Sequence, residues 1–192
     1  MRRLGTAIAA IVLAGAGLAG TAGAAQAATT TGTAAACATG WGSGEKTESF
    51  SSAKPLVNIR TGQHECYDRM VFDIKGAAAA DKAFVWAGYV DAMQQNGSGD
   101  PIPVNGGAIL EIHVGAASYS QSGGTTYPGK VGQQLPGVDV SGYKTFQDTR
   151  FGSSFEGETQ VGVGVRARLP FRVLQQDGKV IVDVAHSWNA AS

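Results

Sequence analysis

His64, Glu65 and Asp68 bring an imidazole and two carboxylates within five residues, donors that suit a divalent cation. The same residues also read as a polar turn leading into a strand that starts near Tyr67. The chain has no HExxH and no CxxC to complete a metal centre. The turn is the expected reading, with no metal and no cofactor. Glu156 and Glu158 flank Gly157 beside Phe155. In a strand they share a face at period two, and paired carboxylates are what glycoside hydrolysis uses. Exposed glutamates on an edge strand leave the same pattern. A serine triad needs a histidine, and His64, His113 and His186 are the three in the chain. The nucleophile-elbow pattern GxSxG is absent, and no spacing joins any of the three to a serine. Gly162-Val163-Gly164 lies inside a valine strand and reads as close packing or a bulge, not a phosphate loop. No catalytic residue is therefore expected.

The elements that position these groups are strands. Met70, Phe72 and Ile74 alternate with Arg69, Val71 and Asp73; Leu110, Ile112 and Val114 alternate with Ile109, Glu111 and His113. Val161, Val163 and Val165 alternate with Gly162, Gly164 and Arg166, and Val180, Val182 and Val184 with Ile181, Asp183 and Ala185. Further strands are expected at Leu56–Thr61, Phe84–Val90, Gly142–Gln147 and Phe171–Gln175, with Asp177-Gly178 as a hairpin turn. Helical periodicity is weak; Ala77–Lys82 reads as a loop. Glycine reaches 28 of 192 residues, about double its usual 7%, and clusters at Gly97-Ser98-Gly99, Gly106-Gly107 and Gly123-Gly124. The pattern predicts an all-β fold, a β-sandwich or small barrel of about eight short strands with long Gly/Ser-rich loops. The Ala116–Ser141 loop is long enough to suggest function or mobility.

Residues 1–27 read as a cleaved signal peptide. Arg2 and Arg3 precede the apolar run Ala7–Leu18, and Ala25-Gln26-Ala27 supplies a cleavage site before Ala28. Arg2-Arg3 leaves the general secretory and twin-arginine routes both open. The run is shorter than the roughly 20 residues that span a bilayer, so no stable membrane insertion is expected. Residues 28–36 read as a flexible Thr/Ala/Gly leader, and residues 37–188 as one domain. Without Arg2 and Arg3 the chain carries 13 basic and 15 acidic residues, net −2 with histidine neutral. It has no cationic excess for a phosphate backbone, so nucleic acid is not an expected partner. In an exported chain, Cys37 and Cys66 most often pair, which the chain-entropy account values at roughly 3–4 kcal/mol. A reactive thiol, a metal ligand and a lipidated Cys37 are the alternatives.

The stretch His64-Glu65-Cys66-Tyr67-Asp68-Arg69-Met70-Val71-Phe72-Asp73 resembles a stretch of bacterial AMIN-like domain proteins. Trp41-Gly42-Ser43, Val57-Asn58-Ile59-Arg60-Thr61-Gly62, Gly107–Ile112, Phe155-Glu156-Gly157, Val161–Gly164 and Val180–Val184 are similar to other parts of that family, in the same order. The resemblance covers roughly Cys37 to His186 and implies that residues 37–188 form a single AMIN-like β domain. AMIN domains are β-sandwich modules that place cell-wall amidases and secretin channels in the bacterial envelope. The resemblance thus implies a secreted, non-catalytic binding or localisation module for a cell-envelope component such as peptidoglycan or another cell-wall polymer. Its location would be extracellular and cell-wall associated. An extracellular protein-interaction module, working through sheet edges or the Ala116–Ser141 loop, and a small secreted hydrolase are the other readings. For ligand binding, Trp41 and Tyr67 offer flat faces to sugar rings, and Arg60 or Arg69 a fork for a carboxylate. His64 and Asp68 complete the candidate set. The alternative for Tyr67-Asp68-Arg69 is structural, with Arg69 paired to Asp183 across neighbouring strands.

Overall fold

The alternating valine strands form a two-layered sandwich. The computed structural model describes residues 37, 40–48, 54–77 and 81–188. The expected signal peptide and leader lie outside them. The described strands are β1 (Lys46–Glu48), β2 (Leu56–Gln63), β3 (Tyr67–Ile74), β4 (Val85–Val90), β5 (Met93–Gln94), β6 (Pro101–Ile102), β7 (Ala108–Val114), β8 (Phe146–Phe155), β9 (Glu158–Val165), β10 (Phe171–Gln176) and β11 (Lys179–Ala185). One antiparallel sheet runs β1-β4-β7-β9-β8 and the other β10-β11-β3-β2, while β5 and β6 pair as a separate short hairpin. Met70, Phe72 and Val182 from one sheet and Leu110, Ile112, Val161 and Val163 from the other share one buried core. Each fully buried side chain of this size contributes about 1.5–3 kcal/mol. The chain is all-β, as the alternation predicts.

Three expectations change. The strand expected over Gly142–Gln147 starts only at Phe146 and runs on to Phe155. Gly142 has φ +78°, and the chain keeps turning until Thr145. Asp68 holds the end of that turn, accepting from the N–H groups of Thr145 and Phe146 at 2.6 and 3.0 Å. Glu156 does not share a strand face with Glu158. Glu156 (φ +49°) and Gly157 (φ +88°) form the two-residue turn between β8 and β9, as Asp177 (φ +49°) and Gly178 (φ +71°) do between β10 and β11. The short strands β1, β5 and β6 add to the expected set, since two or three residues cannot display an alternation.

The long loop after β7 is a side wall. Leu56 N–H donates to Ala117 O at 2.8 Å, and the Thr126 hydroxyl to Leu56 O at 2.6 Å, along the edge of β2. Gly132 N–H donates to Phe151 O at 2.8 Å, and Phe151 N–H to Gln133 O at 2.9 Å, along the edge of β8. Tyr127 and Leu135 enter the core. Each of these two edges is thereby interrupted, at Leu56 and at Phe151, where the loop takes the backbone groups that another strand would use.

The outer face of the five-stranded sheet is covered as well. The segment carrying β5 and β6 crosses it on a floor of glycines. A Cβ on Gly164 would lie 1.8 Å from Asn105 O, one on Gly162 2.4 Å from Met93 Sδ, and one on Gly152 2.6 Å from Met93 Cε. Close backbone approach therefore accounts for Gly162-Val163-Gly164. Polar pegs hold the cover down: Asn105 N–H donates to Asp148 at 2.9 Å, Asn96 N–H to Gln160 at 3.0 Å, and Gln160 to Gln94 O at 2.7 Å.

Gly164→Ala should therefore cost about 1–3 kcal/mol by overpacking, read as a lower melting temperature, whereas Gly44→Ala, with nothing within 4 Å, should leave it unchanged. A second outcome concerns alkaline pH. Burial pushes the Tyr89 phenol from 10.0 up to about 12, and raises Tyr127 as well. Between about 10 and 12 the folded chain holds protons that the unfolded chain has released, so stability should fall as pH rises through that window. Thermal melts across it check this, and a flat profile would contradict it.

Candidate binding face

Among the described residues, no such segment crosses the opposite outer face, on the four-stranded sheet. The two-residue Asp177-Gly178 turn sets Arg172 opposite Asp183, and Asp183 lies opposite Arg69 on β3. Asp183 is 0% exposed. Arg69 holds it side-on, Nε to Oδ1 at 2.6 Å and Nη2 to Oδ2 at 2.9 Å, and Arg172 adds Nε to Oδ2 at 2.8 Å. These bonds offset the desolvation of the carboxylate. The hydrogen bond to Asp183 is the main cause that holds the Arg69 guanidinium above its ordinary pKa. The expected cross-strand pair is present, with Arg172 as a second partner.

An aromatic cluster stands on this ion triad. His64 stacks on Tyr67 with centroids 4.5 Å apart, and Trp41 meets Tyr67 edge-on at 5.7 Å. The Arg69 and Arg172 guanidiniums lie 5.2 and 5.4 Å from the Tyr67 centroid, and Arg172 lies 4.3 Å from that of Trp41. A disulfide joins Cys37 and Cys66, with Cα atoms 5.4 Å apart, and so ties the arm bearing Trp41 beside Tyr67. Beyond His64 and Arg69 the surface opens into a groove of about 380 Å³, with Ile181 and Val71 among its lining and Arg60 and Lys179 beside them. Arg60 is itself paired with Asp73, at 3.0 and 3.3 Å.

Of the candidate residues, the structure brings together Trp41, His64, Tyr67 and Arg69, with Arg60 along the groove. Asp68 is elsewhere. It is 0% exposed and points to the other side of β3, where it accepts from the backbone of Thr145 and Phe146 and contacts His186 at 3.0 Å. A buried carboxylate with these partners is a structural tie and is not placed to meet a ligand. Tyr67 differs from expectation too: its ring is occupied by His64 and the two arginines, and the Trp41 ring takes Arg172 and the Tyr67 edge, so His64 is the exposed aromatic of the cluster. Arg172 is the residue that residue-by-residue reading missed. Counting back from the Asp177-Gly178 turn places it opposite Asp183.

His113 contacts Glu111 at 2.7 Å and Asn96 at 3.2 Å under the glycine-floored cover. Among the described residues, no group of three or more His, Cys, Asp or Glu side chains is placed to hold a metal ion. No described helix is long and apolar enough to cross a membrane. Residues 54–186 match the AMIN-like domain family. No curated protein and no solved structure matches the chain.

The two ion pairs of this face should respond differently to truncation. Arg69→Ala leaves a buried carboxylate with one partner and should cost about 3 kcal/mol. Arg60→Ala breaks a pair whose arginine side chain is 50% exposed and should cost about 0–1 kcal/mol. Denaturant melts of both variants check this, and an Arg69→Ala protein as stable as wild type would contradict the structural weight given to Asp183.

Proposed function

The chain belongs to the AMIN-like domain family, and on that premise we propose that it is a secreted, non-catalytic module that binds a cell-wall polymer, peptidoglycan foremost. The observation that carries this reading is the sheet face left open by the described residues, where His64 lines a groove of about 380 Å³ and stacks on Tyr67, with Trp41 edge-on to the same ring. Aromatic rings suit the C–H faces of sugars, and the cationic rim suits acidic substituents. The ion triad and the disulfide support the same reading, because they order the face before any ligand arrives and so reduce the entropy lost on binding. The family's association with cell-wall contexts agrees with it.

The protein-interaction reading relied on sheet edges or the Ala116–Ser141 loop. That loop is bonded to Leu56 of β2 and Phe151 of β8, which favours the open face over the loop itself. The hydrolase reading is a site assembled across loops from Glu156 or a histidine; the one spacing offered for it, Glu156 and Glu158 on a shared strand face, is absent because Glu156 lies in the turn.

Purified mature protein should sediment with isolated cell wall. Trp41→Ala should weaken that binding by about 1 kcal/mol, roughly fivefold, with the melting temperature measured in parallel. Wild-type protein that stays in the supernatant, or Trp41→Ala protein that binds as tightly as wild type, would overturn the proposal.

A further inference from the structure

The cations of the open face differ in how many donors they have left. Arg69 spends Nε and Nη2 on Asp183, and Nη2 also reaches the Tyr67 hydroxyl at 3.3 Å. Arg60 spends Nε and Nη2 on Asp73. Lys179 Nζ donates to Asp177 O at 3.1 Å. Arg172 gives only Nε, to Asp183, and among the described residues neither of its Nη atoms has a hydrogen-bond partner. Its side chain is 33% exposed. One buried aspartate between two arginines also leaves one positive charge in excess.

We infer that Arg172 is the anion anchor of this face, taking a ligand carboxylate end-on through its two Nη atoms while Asp183 and the Trp41 ring hold the guanidinium in place. This rests on the wall-polymer reading and narrows it to a polymer bearing free carboxylates. A guanidinium fork matches the two oxygens of a carboxylate. A phosphodiester chain would draw on several cations whose charge is uncompensated, and Arg60 and Arg69 are each paired with an aspartate. Lysine cannot replace this residue: it keeps the charge and loses the planar fork.

The test uses sedimentation with three wall preparations: native wall, wall with carboxylates capped by carbodiimide coupling to a neutral amine, and wall stripped of phosphodiester-linked polymers by acid. Wild-type binding should fall about tenfold on capped wall and stay unchanged on stripped wall. Arg172→Lys should bind native wall about tenfold more weakly, be indifferent to capping, and melt close to wild type because a cation still faces Asp183. Arg172→Gln gives a second reading of the same loss. Wild-type binding that ignores capping, or that is lost on stripping, would overturn the inference. So would Arg172→Lys and Arg172→Gln proteins that bind native wall like wild type. In those cases the wall-polymer reading survives, whereas wild-type protein that never sediments removes both.

Discussion

A carboxylate without access to water sits in the middle of the four-stranded sheet, and the open face is organised around it. Moving Asp183 out of water is costly, and the cost is offset only when its oxygens are fully bonded. Three N–H groups from Arg69 and Arg172 do this. The arrangement constrains register as well. A slip of one residue between β10, β11 and β3 would turn both arginines into the core and the valines outward. The pairing that satisfies Asp183 is therefore the pairing that buries Val180, Val182 and Val184.

The two outer faces of the sandwich have different fates, and glycine decides which is which. Gly152, Gly162 and Gly164 remove side chains from the five-stranded sheet, so backbone and Met93 settle directly on it. The four-stranded sheet has long side chains in the corresponding layer. Arg69, Arg172, Tyr67 and Ile181 hold off close backbone approach, and among the described residues only the arm bearing Trp41 packs against them, beside the open groove. A surface with both aromatic and charged groups, ordered by its own contacts, is what an interaction site requires.

Much of this was legible in the sequence, for identifiable reasons. Period-two alternation assigned the inner faces of β3, β7, β9 and β11, because one buried face forces it. Asp177-Gly178 was recognisable because both residues tolerate positive φ, and the Arg69–Asp183 pair because each lies on the polar side of its strand. Glu156-Gly157 was not recognisable as a turn, since glutamate seldom takes φ +49°. Adjacency groups Asp68 with Tyr67 and Arg69, although neighbours in a strand point to opposite faces. The role of the long loop was hidden, because a side wall depends on backbone bonds to β2 and β8 that no local pattern records.

Arg172 shows why a site of this kind is hard to see one residue at a time. Its outward direction follows from alternation, its opposite neighbour from the turn, and its aromatic contact from a disulfide closing a distant arm. Each fact alone describes an ordinary surface arginine. Together they place an arginine whose Nε is committed to a buried aspartate and whose ring-stacked plane is fixed. A guanidinium held in this way loses little further freedom when it meets a carboxylate, so the binding energy is not spent on ordering the side chain. The aspartate thus serves stability and recognition through the same bonds.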